Sequence, residues 1–433
     1  VQTYLSQLLF SAGLLLSPVV GAINIEIAGG QEGALPIAVI PFGFDGPGIG
    51  LPDFSAVITA DLKRSGRFIP LDEKSLISQP HASAEVHFED WRLLGVENLV
   101  VGAVEATGND SYNVRFELLD VFKGAGLSGF TFSLVNNKNA RRIGHQIADI
   151  VYERLTGQKG IFDTQITYVI SGSSSTPYLL QIADADGYNQ KTILTSKEPI
   201  LSPTWSPDNN SIAYVSFENR KPLVYIQNLT AGTREAIASY PGINSAPAWS
   251  PDGTQMAVSL SKDGNPEIYI IDLATKSARR ITTNTAIDTE PTWSPDGKSI
   301  AFTSDRVGSP QLYLVPSSGG AEKSLTFEGK YNAHPRFSPD GRKIAFVRGD
   351  GNINHIAIFD IAAKSVREVT SGRLDESPNF SPNGELIIYA SEGGGKGALQ
   401  VVPASGRTSQ PLGVSGGNMR DPAWSAFKKI ATE

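Results

Sequence analysis

The chain has 433 residues, more than one hydrophobic core accommodates, so two or more domains are expected. Its 44 acidic residues outnumber 37 basic ones, and the net charge of −7 argues against nucleic acid as a partner, which would need a basic footprint. Cysteine is absent, which excludes disulfides and thiolate metal sites.

Residues 1–22 read as a secretory signal. Leu8–Leu16 is an apolar core of suitable length, and Val20-Gly21-Ala22 supplies small residues before a cut at Ile23. The stretch Val1–Gln7 lacks the usual basic residues. The apolar core is too short for a membrane span, which takes about 20 residues, and no later segment is apolar enough. An exported chain with no membrane span is therefore expected. Behind the cut, Ile23, Asn24, Ile25, Glu26 and Ile27 alternate, and a Gly-rich stretch follows. Such a segment can add as a strand to an exposed sheet edge.

Residues 23–160 read as a mixed α/β domain. Leu35–Phe42 is an apolar run of strand length. Asp53 can cap a helix carrying Phe54, Val57, Ile58 and Leu62 on one face, closed by Gly66. Leu99–Val104, the alternating Tyr112–Asp120 and Gly129–Val135 predict three strands. Ala140–Leu155 has helical spacing and stops at Gly157. Residues 157–161 then read as a hinge into a second domain, 161–433.

That second domain repeats one phrase. Ser202-Pro-Thr-Trp-Ser-Pro-Asp-Asn recurs at Ala246, Glu290, His334 and Ser377, and ends shortened at Asp421-Pro-Ala-Trp-Ser-Ala. The aromatic falls at Trp205, Trp249, Trp293, Phe337, Phe380 and Trp424, in steps of 44, 44, 44, 43 and 44 residues. A period of this length predicts a β-propeller with one four-stranded blade per repeat. Asp-Gly supplies the positive φ that the hairpin needs, so the phrase is architecture rather than a site. Residues 164–195 carry strands equivalent to the second, third and fourth of a blade, and residues 422–425 carry a first strand. Together they predict a split blade closing a ring of six.

The residues preceding each proline begin the innermost strand and so ring the channel mouth: Ile200-Leu-Ser, Asn244-Ser-Ala, Asp288-Thr-Glu, Asn332-Ala-His, Asp375-Glu-Ser and Met419-Arg-Asp. Five carboxylates, Asp288, Glu290, Asp375, Glu376 and Asp421, stand against Arg420 and His334. They read either as solvated loop charges or as a focused acidic mouth for a partner. Ser202, Ala246 and Thr289 complete the candidate surface. Asp184-Ala-Asp-Gly-Tyr-Asn starts like a calcium loop, but its twelfth position is Thr195 rather than Glu, so a hairpin is expected. No histidine pair has metal-ligand spacing and no nucleophile elbow occurs, so neither a cofactor, a metal nor catalysis is expected.

The export signal, the α/β domain and six Pro-x-Trp-Ser-Pro-Asp-Gly repeats together resemble the TolB family, periplasmic components of the Tol–Pal system of Gram-negative envelopes. The resemblance runs from Ile23 to about Trp424. Its specific parts are Val39-Ile-Pro-Phe, Ala60-Asp-Leu-Lys-Arg-Ser-Gly-Arg-Phe, Leu155-Thr-Gly-Gln-Lys-Gly, Asp186-Gly-Tyr-Asn-Gln, Asp288-Thr-Glu-Pro-Thr-Trp and Leu374-Asp-Glu. It implies a monomer whose propeller mouth binds Pal, a peptidoglycan-associated outer-membrane lipoprotein, with contacts mapping notably onto Ala246, Thr289 and Glu290. It implies that the N-terminal Ile23–Ile27 segment engages TolA, and that disordered toxin peptides use the Pal site. The implied role is in envelope integrity and outer-membrane constriction during cell division. Three departures are Ile243, where relatives can carry His, a tail, Ala426–Glu433, running past the usual end, and the missing basic residues of the signal. The competing readings are a propeller hydrolase or lyase and a glycan-binding module. Residues 23–160 lack a nucleophile motif, a lyase would need several rim histidines where only His334 stands, and the rim triplets lack aromatic platforms.

Overall fold

In the computed structural model, the described residues are 33–428 apart from 46–49, 109, 174, 394, 407 and 415. The expected signal and the Ile23–Ile27 segment lie outside them.

The first domain is built on one mixed sheet. Strand β1 (Leu35–Val39) is followed by β2 (Gly43–Asp45), β3 (Phe68–Pro70), β4 (Asn98–Gly108), β5 (Ser111–Asp120) and β6 (Ala125–Val135). The order is β3-β1-β4-β5-β6, with β2 also beside β4. β1 runs parallel to β3 and β4, and β5 is antiparallel to both neighbours. Helices α1 (Phe54–Arg64) and α3 (Ala140–Thr156) cover one face, burying Phe54, Ile58, Leu62, Ile147 and Val151 against Ile37, Val114 and Phe116. The other face packs Leu99, Val101 and Leu119 beneath Trp91 of the short helix α2 (Phe88–Leu93). The cap expected at Asp53 forms, its Oδ1 accepting from Ala56 N at 3.1 Å. Gly157 ends α3 in the left-handed conformation, φ 73°, with its N–H on Glu153 O.

The expected hinge is instead a packed joint. Asp149 of α3 accepts from Phe162 N at 2.7 Å and from Asp163 N at 3.0 Å. Ile161 and Phe162 are buried, and Phe162 meets the Tyr152 ring edge-on at 5.7 Å. One apolar cluster runs through them from Val151 to Ile166 and Tyr168 of the propeller and on to Leu386 and Ile388.

The propeller has six four-stranded sheets. In the third blade the strands are Asp288–Trp293, Ser299–Ser304, Gln311–Pro316 and Lys323–Ser324, all antiparallel. The split blade forms as expected. Asn418–Trp424 pairs with β7 (Gln165–Ser171), which continues to β8 (Tyr178–Asp184) and β9 (Lys191–Ser196). Closure by the chain's own last strand removes two sheet edges that would otherwise stay unpaired.

The repeated phrase is architectural. In the second blade Ser250 Oγ donates to Asp252 and accepts from Gln255 N, Asp252 caps Thr254 N, and Gly253 takes φ 73°. The tryptophans tie neighbouring blades, since Nε1 of Trp205, Trp249 and Trp293 donates to Ala423 O, Thr204 O and Ala248 O, respectively. Each accepting carbonyl lies one residue before the preceding blade's tryptophan.

A ring at the channel mouth as candidate partner site

The turns between first and second strands face the α/β domain, as the Arg67–Glu385 ion pair and the bond from Asn383 Nδ2 to Lys159 O show. The starts of the inner strands therefore open on the opposite face.

Each inner strand starts with the same three-residue device. Its first residue turns into the blade: Ile200, Asn244, Asp288, Asn332, Asp375 and Met419 are all buried. The polar ones fasten the loop that enters the strand. Asn244 bonds Tyr240 N and O, Asp288 accepts from Asn284, Asn332 donates to Glu328 O, and Asp375 accepts from Gly372 N. Asp288 also pairs with Arg306 at 3.0 Å, and burial raises its pKa against that partner's pull. Asp375 accepts from Ser391 Oγ at 2.6 Å. These two carboxylates belong to the blades, and so the mouth is less acidic than the sequence suggested.

The third residue, just before proline, is the unusual one. Ser202, Ala246, Glu290, His334, Ser377 and Asp421 all have positive φ, between 49° and 56°. Side chains other than glycine rarely adopt this conformation. A β-bulge marks each position, with register shifts such as Thr289/Thr292 and Arg420/Ala423. The bulge breaks the two-residue alternation, and four of the six residues, all but Ala246 and Glu290, line the central channel of about 410 Å3.

The ring is cross-linked between blades. Glu290 accepts from His334 N at 2.9 Å and Thr303 Oγ1 at 2.8 Å, and its Oε1 lies 2.7 Å from His334 Nε2. Asp421 accepts from Ser202 N at 3.0 Å and Ser377 Oγ at 2.9 Å. Burial alone would raise the Glu290 pKa, but His334 outweighs it and holds the carboxyl at about 2. For His334 burial pulls down, yet Glu290 wins and the imidazole pKa is raised. The pair is thus charged on both members at mildly acidic pH. Ala246 is the ring member with a methyl group, and Ser245 and Thr289 lie beside it half-buried.

Around the ring the exposed surface is largely apolar on one side. Leu201, Ile243, Ile287 and Val307 are exposed, with Ile243 N and Ile287 N held by Ser261 Oγ and Asp305 Oδ1. Glu376 and Arg420 are exposed on the other side. A rigid ring with an apolar arc and a few charges can take a protein surface or an extended peptide.

Asp184–Tyr188 forms the expected hairpin, with Gly187 N on Asp184 O and Asp184 N on Tyr188 O. Sequence reasoning missed its second role. Asp186 bonds Arg141 of α3, and His145 Nε2 lies 3.7 Å away, while His145 Nδ1 lies 2.6 Å from Asp61 of α1. Asp61, His145 and Asp186 have the donor atoms of a metal site. Both carboxylates are already engaged by Arg64 and Arg141, and so the group acts as an ion-pair bridge between domains. No signal in the one-dimensional pattern marks it, because its members are 84 and 45 residues apart from their partners. Among the described residues no helix is long and apolar enough to cross a membrane.

The profile described as TolB amino-terminal domain matches residues 23–127, and that described as TolB beta propeller domain matches residues 152–428. The chain is 59% identical over 416 residues to a Tol-Pal system protein TolB of Nitrosococcus oceani, covering 95% of each. It is 57% identical over 410 residues to the Thioalkalivibrio sulfidiphilus protein of the same name, covering 94% of each. Among solved structures, TolB from Acinetobacter baumannii superposes with a TM-score of 0.84 at 41% identity, covering 91% of this chain and 97% of that one.

Proposed function

The chain belongs to the TolB family of the Tol-Pal system, and from that membership we propose that it is a non-catalytic periplasmic interaction protein. Its propeller mouth binds Pal, the peptidoglycan-associated outer-membrane lipoprotein. Its N-terminal segment Ile23–Ile27 engages TolA, and disordered toxin peptides compete at the mouth. The linkage supports envelope integrity and outer-membrane constriction in cell division.

The observation that carries the reading is the mouth itself. A cross-linked ring with an exposed apolar arc faces away from the α/β domain, so a partner can dock without disturbing the joint. The proposed contact residues are Ser202, Ala246, Thr289, Glu290, His334, Glu376 and Asp421, with Asp288 and Asp375 holding the strand starts from within the blades.

The test is calorimetry of the mature chain with the soluble domain of the lipoprotein. Glu290→Lys and Ile243→Glu should each weaken binding by roughly 1–3 kcal/mol, the cost of losing a charged hydrogen bond or burying a new unpaired charge. Unchanged affinity in both variants would remove the mouth from the proposal. Deleting residues 23–31 should abolish TolA binding and leave lipoprotein affinity within about an order of magnitude; undiminished TolA binding would overturn that assignment alone.

A further inference from the structure

The six repeats provide an internal comparison. The residue between proline and aromatic is Thr204, Ala248, Thr292, Arg336, Asn379 and Ala423 in turn, and all six line the channel. Blade geometry is satisfied there by a side chain as small as alanine. The fold therefore does not call for a guanidinium at the fourth position.

Arg336 is also underused by its own protein. A guanidinium carries five N–H donors in a planar fork. Its Nη1 donates to Pro335 O at 2.8 Å, the carbonyl of its own neighbour. Glu290 and Asp421 attract it through space without bonding it, and burial lowers its pKa. Those carboxylates spend their oxygens on His334, Thr303, Ser202 and Ser377. Arg336 is half-buried in the channel lining, so a ligand in the channel can reach donors that its own protein leaves unused.

We propose that Arg336 forms an oxyanion site in the channel wall, binding a carboxylate or phosphate through its free donors. Two oxygens on one centre match the fork. The channel is about 410 Å3, ample for such a group. Its foot is lined by Ala426 and Phe427, which Asn209 holds by three hydrogen bonds, so the anion enters from the mouth. The site stands on these observations and does not rest on the lipoprotein reading.

Side-chain guanidinium NMR resonances of the full mature chain are followed while inorganic phosphate or N-acetylaspartate is added, and affinities are measured for the wild type, Arg336→Gln and Arg336→Lys. The expected result is a saturable shift of the Arg336 resonances, at least about tenfold weaker binding in Arg336→Gln, and intermediate binding in Arg336→Lys, which keeps the charge but loses the fork. Preference for N-acetylaspartate assigns the natural source to a peptide carboxylate, and preference for phosphate assigns it to a free ion; either supports the site. Unperturbed Arg336 resonances, or equal binding by Arg336→Gln, overturn it. The wild-type spectrum decides the matter even if a variant misfolds, and lipoprotein binding is measured separately, so either proposal can fail alone.

Discussion

Gly160→Ala tests whether the joint between the domains is packed or compliant. A Cβ at residue 160 would sit 2.3 Å from Asp149 Oδ1 and 2.5 Å from Asp149 Cα. One of those atoms is backbone of α3, so side-chain rotation alone cannot relieve the overlap. If Asp149 is displaced, the N–H groups of Phe162 and Asp163 lose their acceptors. A buried donor left unsatisfied costs about 1–3 kcal/mol; Phe162 is buried and Asp163 half-buried, so the pair should lose about 2–4 kcal/mol. Gly157→Ala, three residues earlier, is the control. It meets nothing within 4 Å and costs only the left-handed penalty of about 1–2 kcal/mol. Urea denaturation of both variants gives the two losses, and hydrogen exchange at the Phe162 and Asp163 amides reports the acceptor directly. A smaller loss in Gly160→Ala than in Gly157→Ala, with both amides still protected, would mean that the segment yields as a hinge.

Three other outcomes are expected. The His145 pKa is raised because Asp61 and Asp186 outweigh the opposing effect of burial, so its contribution is complete below its unfolded value of 6.5 and is lost as pH rises through the higher folded value. Denaturation from pH 6 upward should show that fall in the wild type and not in His145→Gln; parallel profiles would show that the bridge does not titrate. Glu290, held at about 2, contributes stability above its ordinary 4.5 that is lost as pH falls toward 2. Glu290→Gln should cost on the order of 2 kcal/mol at pH 6, less than full burial would give because the side chain is 19% exposed, and nothing near pH 2. Removing residues 418–433 should leave β7 as an open edge and broaden or split the thermal transition, whereas the parental single transition would contradict closure by Asn418–Trp424.

The sequence disclosed what recurs and concealed what does not. The split blade was legible because residues 164–195 lack a first strand and residues 422–425 lack the other three. Asp53, Gly157 and the alternation of Tyr112–Leu118 marked elements of the first domain through local chemistry. The triplets before each proline were legible as mouth residues, but not which way each side chain turns. Strict alternation puts the first and third residues of a triplet on one face; the bulge separates them, and so Asp288 and Asp375 enter the blades while Glu290 and Asp421 join the ring. The Asp61–His145–Asp186 bridge depends on the docking of two domains, and no local pattern encodes that.

The ring separates architecture from site within one repeat. Glycine would relieve the left-handed backbone at all six positions, a cost of about 1–2 kcal/mol per residue, yet none of the six is glycine. In five of them the side chain or its own N–H takes part in bonds between blades that offset the strain: Glu290 to His334 joins the third and fourth blades, and Asp421 to Ser377 and Ser202 joins the fifth, sixth and first. Ala246 is the exception. Its methyl group makes no such bond, and so nothing in the fold accounts for an L side chain there in place of glycine. It sits beside Ile243, which is exposed, and Ser245, which is half-buried, on the apolar side of the mouth. Strain without an internal return belongs to function more often than to folding. If the mouth binds the proposed partner, the second blade, where the ring is uncrosslinked and the rim is apolar, is the sector where substitutions should cost the most affinity.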